Sequence, residues 1–271
     1  MRSTRRSIAI AILWFGGCAS SRPVTPSVER PPAAGEASEP SSWTHEELAR
    51  SDVLGFLKAS RDHYVKHVRD YRCTFKMRER AGTNLGDQQV MAIKFRERPY
   101  SVDMTWIENP AGAKRISYVE DRWVNDGKQL ALVVPAGIAN IVVPGGIKLD
   151  IHGREFKKES NRSVDQFGFR KTLERAIRLC EQAQGDPAFS LTYAGRGDFE
   201  GRPQYILERR LPYSEGGGAF PDRLAVFFLD EEWLTPTAVW SYADEDKQRP
   251  LGEFITTDVD YNVGLTDKDF E

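Results

Sequence analysis

The sequence predicts an α+β fold rich in β structure, and three observations lead there. Apolar residues recur every three to four positions over 53–68 and again over 169–180, which gives two helices. The segments that follow each helix alternate apolar and polar residues with a period of two, the pattern of strands with one wet face. At 271 residues, 40% hydrophobic and 29% charged, the chain is long enough for a sizeable core and holds no apolar run long enough to span a bilayer as a helix.

The first helix starts at Ser51 or Asp52, either of which can cap it, and continues to Asp70. Val53, Leu54, Leu57, Tyr64, Val65 and Val68 form its expected buried face. His63 and His67 stand four apart, a spacing that metal ligands use, but the helical wheel puts them opposite the apolar stripe. Tyr64 and Val65 occupy the place where a zinc protease needs its glutamate, so these histidines read as a solvated face and no metal is expected.

Five antiparallel strands in a meander follow. Tyr71, Cys73, Phe75 and Met77 alternate with polar residues, then Met91, Ile93 and Phe95, then, after Pro99, Tyr100, Val102, Met104 and Trp106. The fourth strand lies over 116–124. It turns through Asn125-Asp126-Gly127 into a fifth over 128–134, because Asp-Gly suits the positive backbone angles of a tight hairpin. Residues 135–162 read as a loop with at most short structure. A second helix begins at Ser163 or Asp165, buries Phe169, Leu173, Ala176, Ile177 and Cys180, and ends near Gly185. Strands resume over 189–193, 204–209, 224–229, 237–242 and 253–261, with turns at 195–201, 216–218 and 244–246.

The N-terminal 44 residues are different material. Arg2, Arg5 and Arg6 precede an uninterrupted apolar run from Ile8 to Phe15, the layout of an export leader over residues 1–17. The stretch Phe15-Gly16-Gly17-Cys18-Ala19-Ser20 resembles the lipobox of bacterial lipoproteins, with Phe15 where leucine is usual. That resemblance implies cleavage before Cys18, lipid on its sulfur and residence on the periplasmic side of the cell envelope; Ala19 in place of Asp implies the outer membrane. Residues 18–44 hold five prolines and six serines without apolar periodicity, and read as a tether. Without Arg2, Arg5 and Arg6 the chain has 35 basic against 40 acidic side chains, net −5. Such a balance excludes the broad positive field that nucleic-acid binding uses, and attraction to anionic headgroups is not the expected anchor.

From residue 50 onward, four stretches carry a family resemblance: Lys94-Phe95-Arg96-Glu97-Arg98-Pro99-Tyr100 with Met104 and Trp106; Val124 through Leu130 to Pro135; Arg223 through Asp230 with Leu234-Thr235-Pro236; and Val259 through Leu265 with Phe270. In this order they resemble the lipoprotein-carrier superfamily typified by LolA and LolB, most closely a lipoprotein branch whose function is undefined. The resemblance implies one domain over 45–271, a strongly curved antiparallel sheet forming an open half-barrel around two main helices, and an apolar cavity that accepts acyl chains. Phe75, Met77, Phe95, Met104, Trp106, Tyr118 and Phe228 are the bulky, adaptable side chains expected to line it. The same side chains would serve equally as ordinary core if the helices filled the volume.

Little else in the chain carries chemistry. Gly195 to Gly201 has one residue too many for a dinucleotide loop, and no Gly-x-Ser-x-Gly, Cys-x-x-Cys or His-Glu-x-x-His occurs. No catalytic residue, metal or cofactor is expected. Cys73 and Cys180 both face inward; a disulfide between them would close a loop of over a hundred residues and contribute about 4–5 kcal/mol, whereas two buried free thiols are the alternative. The function expected is a non-enzymatic, lipid-anchored envelope protein that holds lipid or lipoprotein acyl chains. The rival is a protein-interaction or sensor module with a packed interior.

Overall fold

The computed structural model describes residues 44–82, 84–110, 112–157 and 163–271. The leader, Cys18 and the tether lie outside the described residues. Thr44, expected as the tether's last residue, caps a short helix that the sequence reading missed, α1 (His45–Ser51). Thr44 Oγ1 accepts from the Glu47 amide while the Glu47 carboxylate accepts from the Thr44 amide, so two otherwise unpaired helix donors are satisfied reciprocally. Asp52 then caps α2 (Val53–His67), its carboxylate accepting from the Gly55 amide at 2.8 Å. The buried stripe of α2 is Phe56, Leu57, Ser60 and Tyr64, and Val65 is 52% exposed. Val65 was expected inside, but it lies off the stripe that α5 (Phe169–Ala183) and the sheet cover.

Among the described residues thirteen strands form one open sheet. The first half is β1 (Asp70–Ala81), β2 (Asn84–Leu85), β3 (Gln89–Arg96), β4 (Ser101–Glu108), β5 (Ala113–Val119), β6 (Val124–Asn125), β7 (Lys128–Pro135) and β8 (Ile147–Asp150). The second is β9 (Ser190–Phe199), β10 (Arg202–Arg210), β11 (Leu224–Asp230), β12 (Pro236–Tyr242) and β13 (Pro250–Tyr261). The order across the sheet is β6-β7-β5-β4-β3-β1-β13-β12-β11-β10-β9, with β2 on β1 and β8 on β7, and every pairing is antiparallel. The expected meander is therefore present as β1, β3, β4, β5 and β7. Asp126 and Gly127 take the positive φ values of 49° and 73° that its Asp-Gly turn requires.

One expectation changes in detail. The stretch 195–201 was read as a turn, but strand β9 continues through it and the chain reverses only at Glu200-Gly201. Gly197 pairs with Gln204 beneath Ile206, where an added Cβ would lie 2.9 Å from Ile206 Cδ1. Glycine there marks a close approach within the sheet. The described part of the stretch expected as a loop with at most short structure, 135–157, carries three four-residue elements, α3 (Ala139–Val142), β8 and α4 (Arg154–Lys157).

Helix α5 starts later than expected, at Phe169, after a single 3-10 turn over Val164–Gln166. Gly168 precedes it at φ +99°, and a Cβ there would meet the Phe95 ring at 2.9 Å and the Tyr71 hydroxyl at 3.3 Å. Only glycine lets the helix entry lie against these two rings. The core falls into two large clusters. One packs Tyr64, Tyr71, Ile93, Phe95 and Phe169 inside the first half of the sheet. The other packs Phe56, Leu57, Leu173, Ile177, Leu207 and Phe227 between the helices and the second half.

Candidate functional site

At the junction of these two clusters the side chains leave a cavity of about 170 Å³ between the inner face of the sheet and α5. The period of two sets its floor. On β1 alternate residues Tyr71, Cys73, Phe75 and Met77 point into it; Met91 comes from β3 and Met104 and Trp106 from β4. Strands β12 and β13 contribute Val239, Phe254 and Thr256, which reach the site because β1 pairs with β13, placing Phe75 opposite Thr256 and Met77 opposite Phe254. Phe167, Phe169, Thr172, Ala176 and Leu179 form the roof.

The roof is pinned by polar contacts. Tyr100 Oη donates to the Phe167 carbonyl at 2.7 Å and lies 3.2 Å from that of Val164, which ties the entry of α5 to β4. Phe75 meets Phe167 edge-on with centroids 5.2 Å apart and stacks with Phe254 at 6.5 Å. Trp106 Nε1 donates to Gln89 Oε1 at 2.7 Å, which satisfies the one polar atom of that large side chain.

One charged pair is built into the wall. Arg209 and Asp222 both line the cavity at 3% and 5% exposure, and one guanidinium nitrogen donates to both carboxylate oxygens at 2.9 Å. The guanidinium carbon lies 5.2 Å from the centre of the Phe227 ring, so the charge is held by a carboxylate and an aromatic face. The sequence reading missed both residues. Tyr205, Leu207 and Arg209 alternate along β10, which was the available signal that Arg209 points inward.

Of the seven residues proposed as lining, Phe75, Met77, Met104 and Trp106 lie in the cavity wall. Phe95 and Tyr118 point to the same side of the sheet but sit in solid core, Phe95 stacked on Tyr71 at 4.8 Å and Tyr118 against Tyr100 at 5.9 Å. Phe228 is on the opposite face, packed on Phe199 and Trp240 at 5.1 and 4.8 Å. Strand β11 is buried along its whole length and apolar on both faces, so alternation could not show that Phe227 and not Phe228 points inward.

Burial favours the neutral form of two titratable groups on the cavity floor, Tyr71 and Cys73. Burial pushes the Tyr71 phenol well above its usual range and raises the Cys73 thiol strongly. Cys180, buried on α5, is raised to about 11, by burial first and with Arg209 opposing. Cys73 and Cys180 are separate, unpaired thiols in the structure. A neutral thiol is a poor nucleophile. His63 and His67 stack at 4.4 Å on α2, and His63 is lowered, first by burial and then by His67 and His45. Among the described residues no group of three or more His, Cys, Asp or Glu is arranged to hold a metal ion.

These raised values fix the sign of an alkaline effect. Below the ordinary thiol and phenol pKa values folded and unfolded chains are equally neutral; above them only the unfolded chain ionises. Stability present up to about pH 8 should therefore fall as pH rises through about 9 to 11. Urea midpoints measured across that range should drop steadily, and a flat profile would contradict the neutral burial of these groups.

Comparison with known proteins gives the family. A family model described as protein of unknown function (DUF1571) matches residues 68–271, and the chain belongs to that family. No curated protein matches the sequence. Among solved structures the chain is similar to MucB in a complex of Pseudomonas aeruginosa MucA and MucB, with a TM-score of 0.47 at 12% identity over 82% of this chain and 61% of that one. It thus spans less than two thirds of MucB. It is also similar to Mycobacterium tuberculosis lipoprotein LppX, with a TM-score of 0.39 at 10% identity over 80% and 98% of the two chains. A LolA superfamily protein from Nitrosomonas europaea gives 0.35 at 9% over 79% and 97%. The likeness to the LolA superfamily expected from the sequence is thus found.

Proposed function

We propose that this chain is a lipid-anchored envelope protein whose domain holds a single apolar group, such as the end of an acyl chain, in the cavity under α5. The observation that carries this is the cavity itself, walled by Phe75, Met77, Met91, Met104, Trp106 and Phe167. Its size limits the ligand. About 170 Å³ is close to the engineered cavity of about 150 Å³ that admits benzene. It falls short of the several hundred cubic ångströms that whole acyl chains would fill, so one ring or chain end fits, and more would require α5 to lift.

The anchor is proposed on Cys18, and no helix of the described residues is long and apolar enough to cross a membrane. Labelled palmitate should mark the wild-type chain and not a Cys18→Ala variant; equal labelling of the two would remove the anchor. For the cavity, the neutral probe N-phenyl-1-naphthylamine should brighten on binding and be displaced by a fatty acid, and protein purified from its own membrane should carry lipid in native mass spectra. No displacement together with no lipid would overturn ligand binding and leave a protein-interaction module.

A further inference from the structure

We propose that the tip joining β7 to β8 docks on a lipid bilayer. From Pro135 to Ile147 thirteen consecutive residues carry no charged side chain, in a chain that is 29% charged. Within them Ile138, Ile141 and Val142 are 82%, 80% and 77% exposed, and α3, which presents the last two, buries no residue at all. A tip built only to connect two strands would be polar.

Three further observations select a bilayer as the occupant. First, the character changes along the stem below the tip, where the Trp123 carbonyl accepts from the Leu130 amide of β7. Trp123 is half-buried there, with the Arg122 guanidinium carbon 5.0 Å and the Lys148 Nζ 5.3 Å from the centres of its rings. An aliphatic end above a stem that carries cations and an indole combines the chemistries met at a lipid headgroup region. Second, the stem of the same hairpin belongs to the cavity: Val133 of β7 and Leu149 of β8 line it, and Val133 pairs with the exposed Ile147. The apolar surface of the tip and the cavity wall are therefore carried by the same two strands. Third, three side chains expose on the order of 400 Å², half of the roughly 800 Å² per partner that a stable protein interface buries, which disfavours a second copy of this chain.

Delivery of the tip to a membrane rests on the proposed anchor. Twenty-five residues separate Cys18 from Thr44, a reach of at most about 90 Å, so the tip can touch the bilayer that holds the lipid.

The test places a reporter on the tip. Because Cys73 and Cys180 are buried and the Cys18 sulfur carries the proposed lipid, Ile141→Cys in the full chain can be labelled selectively in the folded protein with an environment-sensitive nitrobenzoxadiazole dye, and Ile107→Cys, 59% exposed in the native protein on β4, serves as control. Both are reconstituted into vesicles of phosphatidylethanolamine with a minor share of phosphatidylglycerol. The dye at 141 should shift to the blue and lose about half or more of its emission to nitroxide-labelled lipid, while the dye at 107 should do neither. A dye at 141 that stays in water while the protein floats with the vesicles would overturn docking and leave the anchor intact. A blue shift without lipid quenching would overturn it in favour of a protein contact. Failure to float would remove anchor and docking together. None of these readouts depends on the cavity, whose own test is probe displacement.

Discussion

Replacing Arg209 by methionine should destabilise the domain by about 3–5 kcal/mol, because it leaves Asp222 as an uncompensated buried charge. Both side chains are almost wholly excluded from water, and the carboxylate takes both of its short hydrogen bonds from this one guanidinium. Asp222→Leu should cost a similar amount for the mirror reason. The double variant should recover much of the loss, since removing both charges also removes the cost of keeping them dry. Urea unfolding of the four proteins forms a complete cycle. Additive losses in the double variant would show that the pair is not coupled as the structure has it. The pair also joins β10 to the segment leading into β11, so its loss should loosen the cavity wall that Arg209 and Asp222 help to form.

Filling the cavity should separate binding from stability. Ala113→Leu on β5 and Ala176→Leu on α5 each add three carbons to a residue of the wall, from opposite sides of a space of about 170 Å³. Either change should weaken N-phenyl-1-naphthylamine binding about tenfold or more, which corresponds to about 1.4 kcal/mol. Ordinary damage lowers stability as well, whereas filling a void leaves it level or raises it by up to about 1 kcal/mol. Two variants are needed because either leucine could overpack its own site. Unchanged probe binding in both, with stability retained, would place the ligand elsewhere.

What was readable from the sequence followed from contacts between neighbours in the chain. Phe75, Met77, Met104 and Trp106 were found because alternation within a strand tells which side chains share a face. The same rule carried Phe95 and Tyr118 too far, since sharing a face does not say where along it the packing opens. It failed at Phe228, where a strand covered on both sides offers no alternation to read. The capping box at Thr44 and Glu47 was legible but was overlooked within a stretch dominated by proline and serine. Gly168 looked like any other glycine, because the rings of Tyr71 and Phe95 that require it are 97 and 73 residues away.

By itself the sequence determined the class of the fold, the two long helices, the first meander and its Asp-Gly turn, since each is set by periodicity or turn chemistry within a few residues. Only the tertiary structure decided that β1 joins β13. That pairing closes two meanders into one sheet and brings Phe254 and Thr256 to the same cavity as Phe75 and Met77. A cavity is the space left between elements distant in the chain, so its size depends on how closely α5 approaches the sheet. Local pattern carries no term for that distance. The apolar run from Pro135 to Ile147 makes the same point from the outside: its composition was visible from the start, but only the structure showed that nothing in the described domain covers Ile138, Ile141 and Val142.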